Sequence, residues 1–233
     1  MNQSGRCTLY CLVVILWLAF WQMPGVYAEK AIGDRERLLG YREWSKTYQG
    51  KNFLELVRET VTSLVNGQSV SISGDRDFPW IHYPVGIFVT AMQNRKVRVC
   101  VGGFTPTEAT LSRELIRQCK RLIIEDPRHD PLNPDEMGRL RFVVTFTGNP
   151  IPIADAEQVD IWEDGLLMRW NGREAVLLPG EAKTLVWGLK ELKRQIQIPK
   201  NENPSYASFP VVILQETHEF LKSLNHSPCP SIP

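Results

Sequence analysis

The sequence has no excess of charge of either sign, and this narrows the partners that it can have. Its 27 lysines and arginines balance 26 aspartates and glutamates, so the formal net charge is +1. Basic residues such as Arg117, Lys120 and Arg121 stand at helical spacing among acidic residues, which is typical of solvated helix faces. Nucleic-acid binding depends on a basic surface, and we therefore expect no nucleic-acid partner.

Cysteine is scarce, and its scarcity excludes a disulfide scaffold. The chain has five cysteines, and Cys7 and Cys11 fall in an N-terminal segment that we expect to be removed. Cys100, Cys119 and Cys229 allow at most one internal bridge, so the pairing of Cys100 with Cys119 or with Cys229 stays open. Apolar residues make up 43% of the chain, and we expect their burial to stabilise the fold.

The apolar run at the N-terminus is too short to cross a membrane. Leu9–Trp21 has 13 residues, whereas a spanning helix needs about 20. Arg6 precedes the run, and Pro24 and a small-residue site ending at Ala28 follow it, which is the pattern of a secretory signal. We expect a signal peptide over residues 1–28, cleavage after Ala28, an exported (periplasmic or extracellular) protein and no stable membrane span; an uncleaved anchor is the alternative.

The rest of the sequence carries a pattern of apolar residues that predicts helices and strands in irregular order. Stripes at spacings of three and four predict helices, and β-branched runs around short polar gaps predict β-hairpins. This order favours an α+β fold with mixed, largely antiparallel sheets flanked by helices. The predicted elements are a helix over Asp34–Ser45, a helix after Asn52, a hairpin of residues 85–92 and 96–103, a helix capped by Thr105 and ending near Glu125, a short helix after Asn133, a strand over Arg139–Thr147, a hairpin around Asn171 and Gly172, a helix over Gly180–Gln195, and a strand or helix after Pro210.

The second strand of the first hairpin carries two side chains that are candidates for binding or catalysis. Strand alternation sends Val97, Val99 and Val101 to one face of the sheet and Arg98 and Cys100 to the other. The face with Arg98 and Cys100 is either a polar surface or the lining of a cleft.

Three blocks of sequence together resemble the AMMECR domain family. KVRVCVGG (96–103) is similar to the signature of the family, in which a glycine stands where this chain has Val99. EDPRHDPL (125–132) resembles a second block, through Asp126, Arg128, Pro131 and Leu132, with His129 in place of an aromatic residue. DGLLMRWNGREAVLLPGEA (164–182) resembles a third block, through Gly165, Leu166, Leu178 and Pro179, with Gly180 in place of a glutamine.

This resemblance implies a larger α+β lobe, a smaller, mostly β lobe, and a cleft between them that holds the signature. It implies no reaction, because the family has no established activity. We divide the chain into the signal peptide 1–28, an N-terminal extension 29–50 that can form a helix, an AMMECR-like domain 51–198, and a linker with a C-terminal tail 199–233. A glycine at the signature position would allow a ligand to approach the backbone closely, and the Val99 side chain in this protein would prevent that approach.

Two hypotheses for function follow. The first is a ligand- or protein-binding module whose cleft uses Arg98, Cys100, Asp126 and Arg128, and whose partner is an unknown protein or a small anionic ligand. The alternative is an enzyme, a hydrolase or a redox enzyme, with Cys100 as nucleophile and His82 or His129 as base. No His-x-x-x-His or Cys-x-x-Cys spacing occurs, so we expect no metal site, and the sequence identifies no cofactor.

Overall fold

The structure is a computed structural model. It describes residues 23–72, 77–81, 83–94, 96–126, 130–199 and 201–217, with side chains from Gly33 onward. The predictions for the segment before residue 23, for His82, Arg128 and His129, and for the tail with Cys229 lie outside these residues. Ala28, the expected cleavage position, lies within the first helix, whose bounds are Met23–Ser45.

Helices and antiparallel strands form the architecture, and the predicted α+β class is confirmed. The α-helices are α1 (Met23–Ser45), α2 (Tyr48–Val65), α3 (Leu111–Ile124) and α4 (Leu185–Gln195), with short 3-10 helices at Pro134–Arg139 and Ala156–Gln158. The strands are β1 (Gly86–Gln93), β2 (Lys96–Gly103), β3 (Arg141–Thr147), β4 (Ile151–Ile153), β5 (Asp164–Trp170), β6 (Arg173–Leu177) and β7 (Ser205–Gln215).

One antiparallel sheet connects the strands in the order β2-β1-β3-β7-β5-β6, and β4 also pairs with β7. A large core lies between α1, α2 and α3 and the face of β1 to β3 that presents Val89, Val99 and Phe142. A smaller core lies between α4 and the β5–β6 hairpin. A third apolar cluster joins the two halves, and we call it the seam; its buried members are Phe88, Leu167, Leu178, Ala207 and Phe209.

The hairpin turn predicted at Asn171 and Gly172 is present. Both residues have positive φ, 46° and 74°, as a type I′ turn requires, and β5 and β6 pair from Trp170 and Arg173 outward. A helix also covers Asp34–Ser45, as the sequence predicts, and a helix follows Thr47 rather than Asn52.

The start predicted for the third helix is wrong. Thr110, not Thr105, caps α3, and its hydroxyl accepts the Arg113 N–H at 3.4 Å. The reason is the buried carboxylate of Glu114, which accepts the backbone N–H groups of Thr107 and Glu108 at 2.9 and 3.1 Å. These bonds hold residues 107 and 108 outside the helix, although the Thr-x-x-Glu sequence there is typical of a capping box.

The sequence also predicts a linker and tail over residues 199–233, with a strand or helix only after Pro210, and the linker prediction is wrong for residues 205–210. Ser205–Gln215 forms β7, which lies between β3 and β5 at the centre of the sheet. Two prolines obscured the signal. Pro204 precedes the strand, and Pro210 stands where β7 leaves β5 and begins to pair with β3. Its missing N–H costs at most one bond at the end of the ladder, because the opposing strand β3 ends at Thr147.

Candidate functional site

Each nitrogen of the Arg98 guanidinium donates to a group within the protein. The guanidinium donates to both oxygens of Glu136 at 2.8 and 3.0 Å, and to the carbonyl oxygens of Asp130 and Pro131 at 3.1 and 3.4 Å. The Arg98 and Glu136 side chains are only 17% and 13% exposed. We call this arrangement the Arg98 clamp, because it attaches the segment that follows α3 to β2.

Asp126 completes the attachment from the other end of that segment. Its carboxylate is buried and accepts the Cys100 N–H at 3.1 Å. β2 is an edge strand, so half of its backbone groups have no neighbouring strand to bind. Asp126 and the Arg121 guanidinium, which donates to Gly102 O at 3.3 Å, satisfy two of these groups. Two of the family blocks therefore meet, with Asp126 and Arg98 as the contacts.

The Cys100 side chain packs at the seam, beside Phe88, and its sulfur receives the Thr90 hydroxyl at 3.1 Å. Cys119 lies fully buried in the large core on the other face of the sheet, and burial raises the pKa of its thiol. The two cysteines form no disulfide with each other. His82 and His129, the bases that a Cys100 nucleophile would use, lie outside the described residues, as does Arg128.

Val99, which replaces the signature glycine, points away from the seam. Its side chain is 2% exposed and packs in the large core together with Leu115 and Cys119. A side chain at this position therefore fills helix-facing space and does not narrow a cleft at Cys100.

Two other glycines of the family blocks have a steric role at the seam. A Cβ on Gly102 would clash with the Phe88 ring, and one on Gly165 would clash with the Phe209 ring. Phe104 contacts both rings edge-on, with centroid distances of 5.4 and 4.8 Å. These glycines make room for the aromatic rings that join the two halves.

A separate groove at the surface has room for a ligand. Its volume is about 580 Å³, and it lies between one side of α1, the turn at residues 162–164 and residues 210–213 of β7. Three large apolar side chains line it and remain exposed: Leu39 at 52%, Trp162 at 61% and Ile213 at 38%. Apolar groups left open to water around one cavity are typical of a binding site.

Charged residues border this groove. Arg35 donates to Asp164 at 2.7 Å across it, and Glu36, Glu163 and Arg42 complete the set. Burial raises the pKa of Asp164, and Arg35 offsets part of that rise. Within the part of the chain that the structure describes, the Arg42 guanidinium has no carboxylate partner.

Sequence reasoning missed the groove. Trp162 stands in an acidic turn, Asp160 to Asp164, and an aromatic residue in such a turn is the one local signal. Leu39 and Ile213 belong to separate elements whose proximity follows from the central position of β7. Neither a metal-binding cluster of three or more ligands nor a helix able to cross a membrane occurs among the residues described above.

Comparison with known proteins identifies the family. A family model described as AMMECR1 matches residues 54–207. A protein from Thermotoga maritima is 28% identical over 116 residues, which cover 49% of this chain and 64% of that protein, less than two thirds of its length. A protein from Methanosarcina acetivorans is 28% identical over 141 residues, with coverage of 56% of this chain and 69% of that protein.

A solved structure shows the same fold. The uncharacterized protein PH0010 from Pyrococcus horikoshii superposes with a TM-score of 0.58 at 21% identity, covering 73% of this chain and 93% of that one. At this identity the likeness concerns the fold alone. The sequence match extends over more than half of the chain and includes the three blocks on which the resemblance rests, and the chain therefore belongs to the AMMECR1 family.

Proposed function

We propose that this protein is an exported binding module that recognises another protein through the groove between α1, Trp162 and β7. The observation that carries the proposal is the exposure of Leu39, Trp162 and Ile213 around one cavity of about 580 Å³. Burying these side chains against a partner would remove apolar area from water, at about 25 cal/mol for each Å².

The Arg98 clamp directs the proposal to this groove and away from the signature. A ligand-binding arginine needs free donors, whereas those of Arg98 are directed at Glu136 and at two backbone carbonyl groups. In this proposal Arg98 and Asp126 are positioning residues, which hold the segment after α3 against β2.

A small apolar anion, anilinonaphthalene sulfonate, can test the site without knowledge of the partner. We expect the dye to shift the methyl resonances of Leu39 and Ile213, and Trp162→Ala to weaken its binding about tenfold, which is about 1.4 kcal/mol. Trp187→Ala is the matched control, because Trp187 is 53% exposed but lies on α4, away from the groove. Equal effects of the two variants, or shifts centred on Cys100, would contradict the proposal.

Export is a separate part of the proposal, supported by the apolar run Leu9–Trp21 and the small-residue site at Ala28. A fusion of residues 1–40 to a phosphatase that is active only after export tests it. We expect activity and a processed N-terminus after Ala28. Replacement of Leu16 by Arg within the run should abolish both, and an active, unprocessed fusion would favour the uncleaved anchor.

A further inference from the structure

The hydrogen bonds of β7 show in which direction its backbone groups point. Gly148 donates to Pro210 O at 2.9 Å, and Glu216 donates to Phe142 O at 3.1 Å, at the two ends of the β3–β7 pairing. In an antiparallel ladder each strand directs its backbone groups to the same side at every second residue. Val212 and Leu214 therefore face β3, and Val211, Ile213 and Gln215 turn their N–H and C=O groups to the opposite edge.

That opposite edge lacks a strand beyond Pro210. β5 pairs with β7 only from Arg169 and Ser205 to Asp164 and Pro210, and the chain before Asp164 leaves the sheet in the turn that carries Trp162. Among the described residues, no strand continues β5 alongside Val211–Gln215. The groove lies beside this edge, with Val211 and Ile213 in its lining.

An open strand edge recognises one kind of partner. Its alternating N–H and C=O groups match those of another polypeptide in extended conformation, so that a partner segment adds a strand to the sheet. The exposed Leu39, Trp162 and Ile213 side chains lie beside the edge and can take the apolar side chains of such a segment.

The charged residues around the groove restrict which partner segment can bind there. Glu36, Glu163 and the Arg35–Asp164 ion pair lie at one end. Arg42 follows Arg35 by seven residues on α1, which places it about 10 Å further along the helix axis. That distance corresponds to about three residues of extended chain. A partner segment would therefore carry a basic residue at one end, an acidic residue at the other and apolar residues between them.

We infer that the groove binds an extended segment of a partner protein, which pairs as an additional strand with Val211–Gln215 of β7 and places its acidic residue against Arg42. This inference rests on the proposed function and specifies its partner. It also reaches beyond the family match, because α1 and residues 208–217 lie outside residues 54–207.

Synthetic seven-residue peptides test the pairing. Two acetylated peptides, TKVTDVT and TVDTVKT, place the lysine and the aspartate three residues apart and present the same composition in the two possible strand directions, and isothermal titration gives their affinity for the whole protein. We expect one of the two to bind. N-methylation of the alternate amides that face β7 should weaken the better peptide at least tenfold, and N-methylation of the other amides should change it less than threefold.

Variants of the protein test the same hydrogen bonds from the side of β7. Ile213→Pro removes the outward N–H and keeps the pairing with β3, which Ile213 does not use, whereas Ile213→Thr keeps the N–H and removes only the apolar contact. Because both variants lose that contact, we expect the proline variant to bind the better peptide at least tenfold more weakly than the threonine variant does. Arg42→Glu should weaken the better peptide at least fivefold. Melting temperatures and circular dichroism verify that each variant is folded.

The outcomes separate this inference from the proposed function. Absence of binding by both peptides, or equal affinity for the two N-methylated forms, overturns strand pairing even if Ile213→Pro proves unfolded. The dye result at Trp162 would still support the groove as a binding site in that case. If the dye does not bind in the groove and neither peptide binds, both the proposed function and this inference fail.

Discussion

Removal of the Arg98 guanidinium is the perturbation that distinguishes a positioning role from a ligand-binding role. Arg98→Met deletes two bonds to the Glu136 carboxylate and the bonds to Asp130 and Pro131 carbonyl oxygens. Loss of one partner of a largely buried ion pair costs roughly 3–5 kcal/mol. Asn133 still donates to Glu136 at 2.8 Å, so we expect the lower end, about 3 kcal/mol.

Urea and thermal unfolding measure this change. For a chain of this size, about 3 kcal/mol corresponds to a fall of roughly 6–12 °C in the melting temperature. Arg98→Lys keeps the charge but loses the two-pronged geometry and should fall between wild type and Arg98→Met. The double variant Arg98→Met with Glu136→Met should recover part of the loss, because no charge is then left without its partner.

An exposed ion pair serves as the control for the loss of stability expected at Arg98. Arg169 and Glu174 form a similar pair on the surface, with side chains 45% and 51% exposed, and Arg169→Met should cost less than about 1 kcal/mol. Dye binding in the groove should be the same in folded Arg98→Met as in wild type. If Arg98→Met were as stable as the Arg169 variant, or lost dye binding while still folded, the positioning role of Arg98 would be refuted.

Three further predictions follow from single contacts. Gly102→Ala and Gly165→Ala should each destabilise the fold by roughly 1–3 kcal/mol, because the new methyl group meets the Phe88 or Phe209 ring, whereas Gly103→Ala, with nothing within 4 Å, should be neutral; equal melting temperatures would remove the steric role. Burial alone would raise the pKa of Glu114, but hydrogen bonds from Thr107, Gln118 and Glu108 and the charge of Arg117 lower it. Its carboxylate therefore stabilises the fold above the ordinary pKa of 4.5, and that contribution disappears as pH falls through the lowered value; Glu114→Gln should make unfolding less pH-dependent below 4.5, and an unchanged profile would contradict this. Cys119 should resist iodoacetamide until the protein unfolds, and Cys100 should react no faster than a free thiol in a peptide; accelerated labelling of Cys100 would instead support the enzyme alternative.

The sequence allowed the α+β class, the family and most helices and strands to be predicted, because apolar spacing and turn residues carry that information locally. Asn171 and Gly172 specify their turn without help from the rest of the chain. The cap of α3 was mispredicted because Glu114 binds the Thr107 and Glu108 N–H groups, a choice that only the folded loop decides.

The groove could not be predicted for a different reason. β7 is central, but it lies far along the chain from its pairing partners β3 and β5, and Pro204 and Pro210 suggested a linker. The contacts of Arg98 in the signature could not be predicted either, because they come from residues that are distant in sequence. Alternation places Arg98 on a face with Cys100, but only the fold brings Glu136 and the Asp130 carbonyl to its guanidinium.

Amide hydrogen exchange along β7 in the protein without a partner tests the central claim most directly. We expect the amides of Val211, Ile213 and Gln215 to exchange quickly, because they point away from β3 to the open edge, and those of Val212 and Leu214 to be protected by β3. Slow exchange at all five positions would mean that the edge is already occupied, and would contradict the account of the groove as an open binding site.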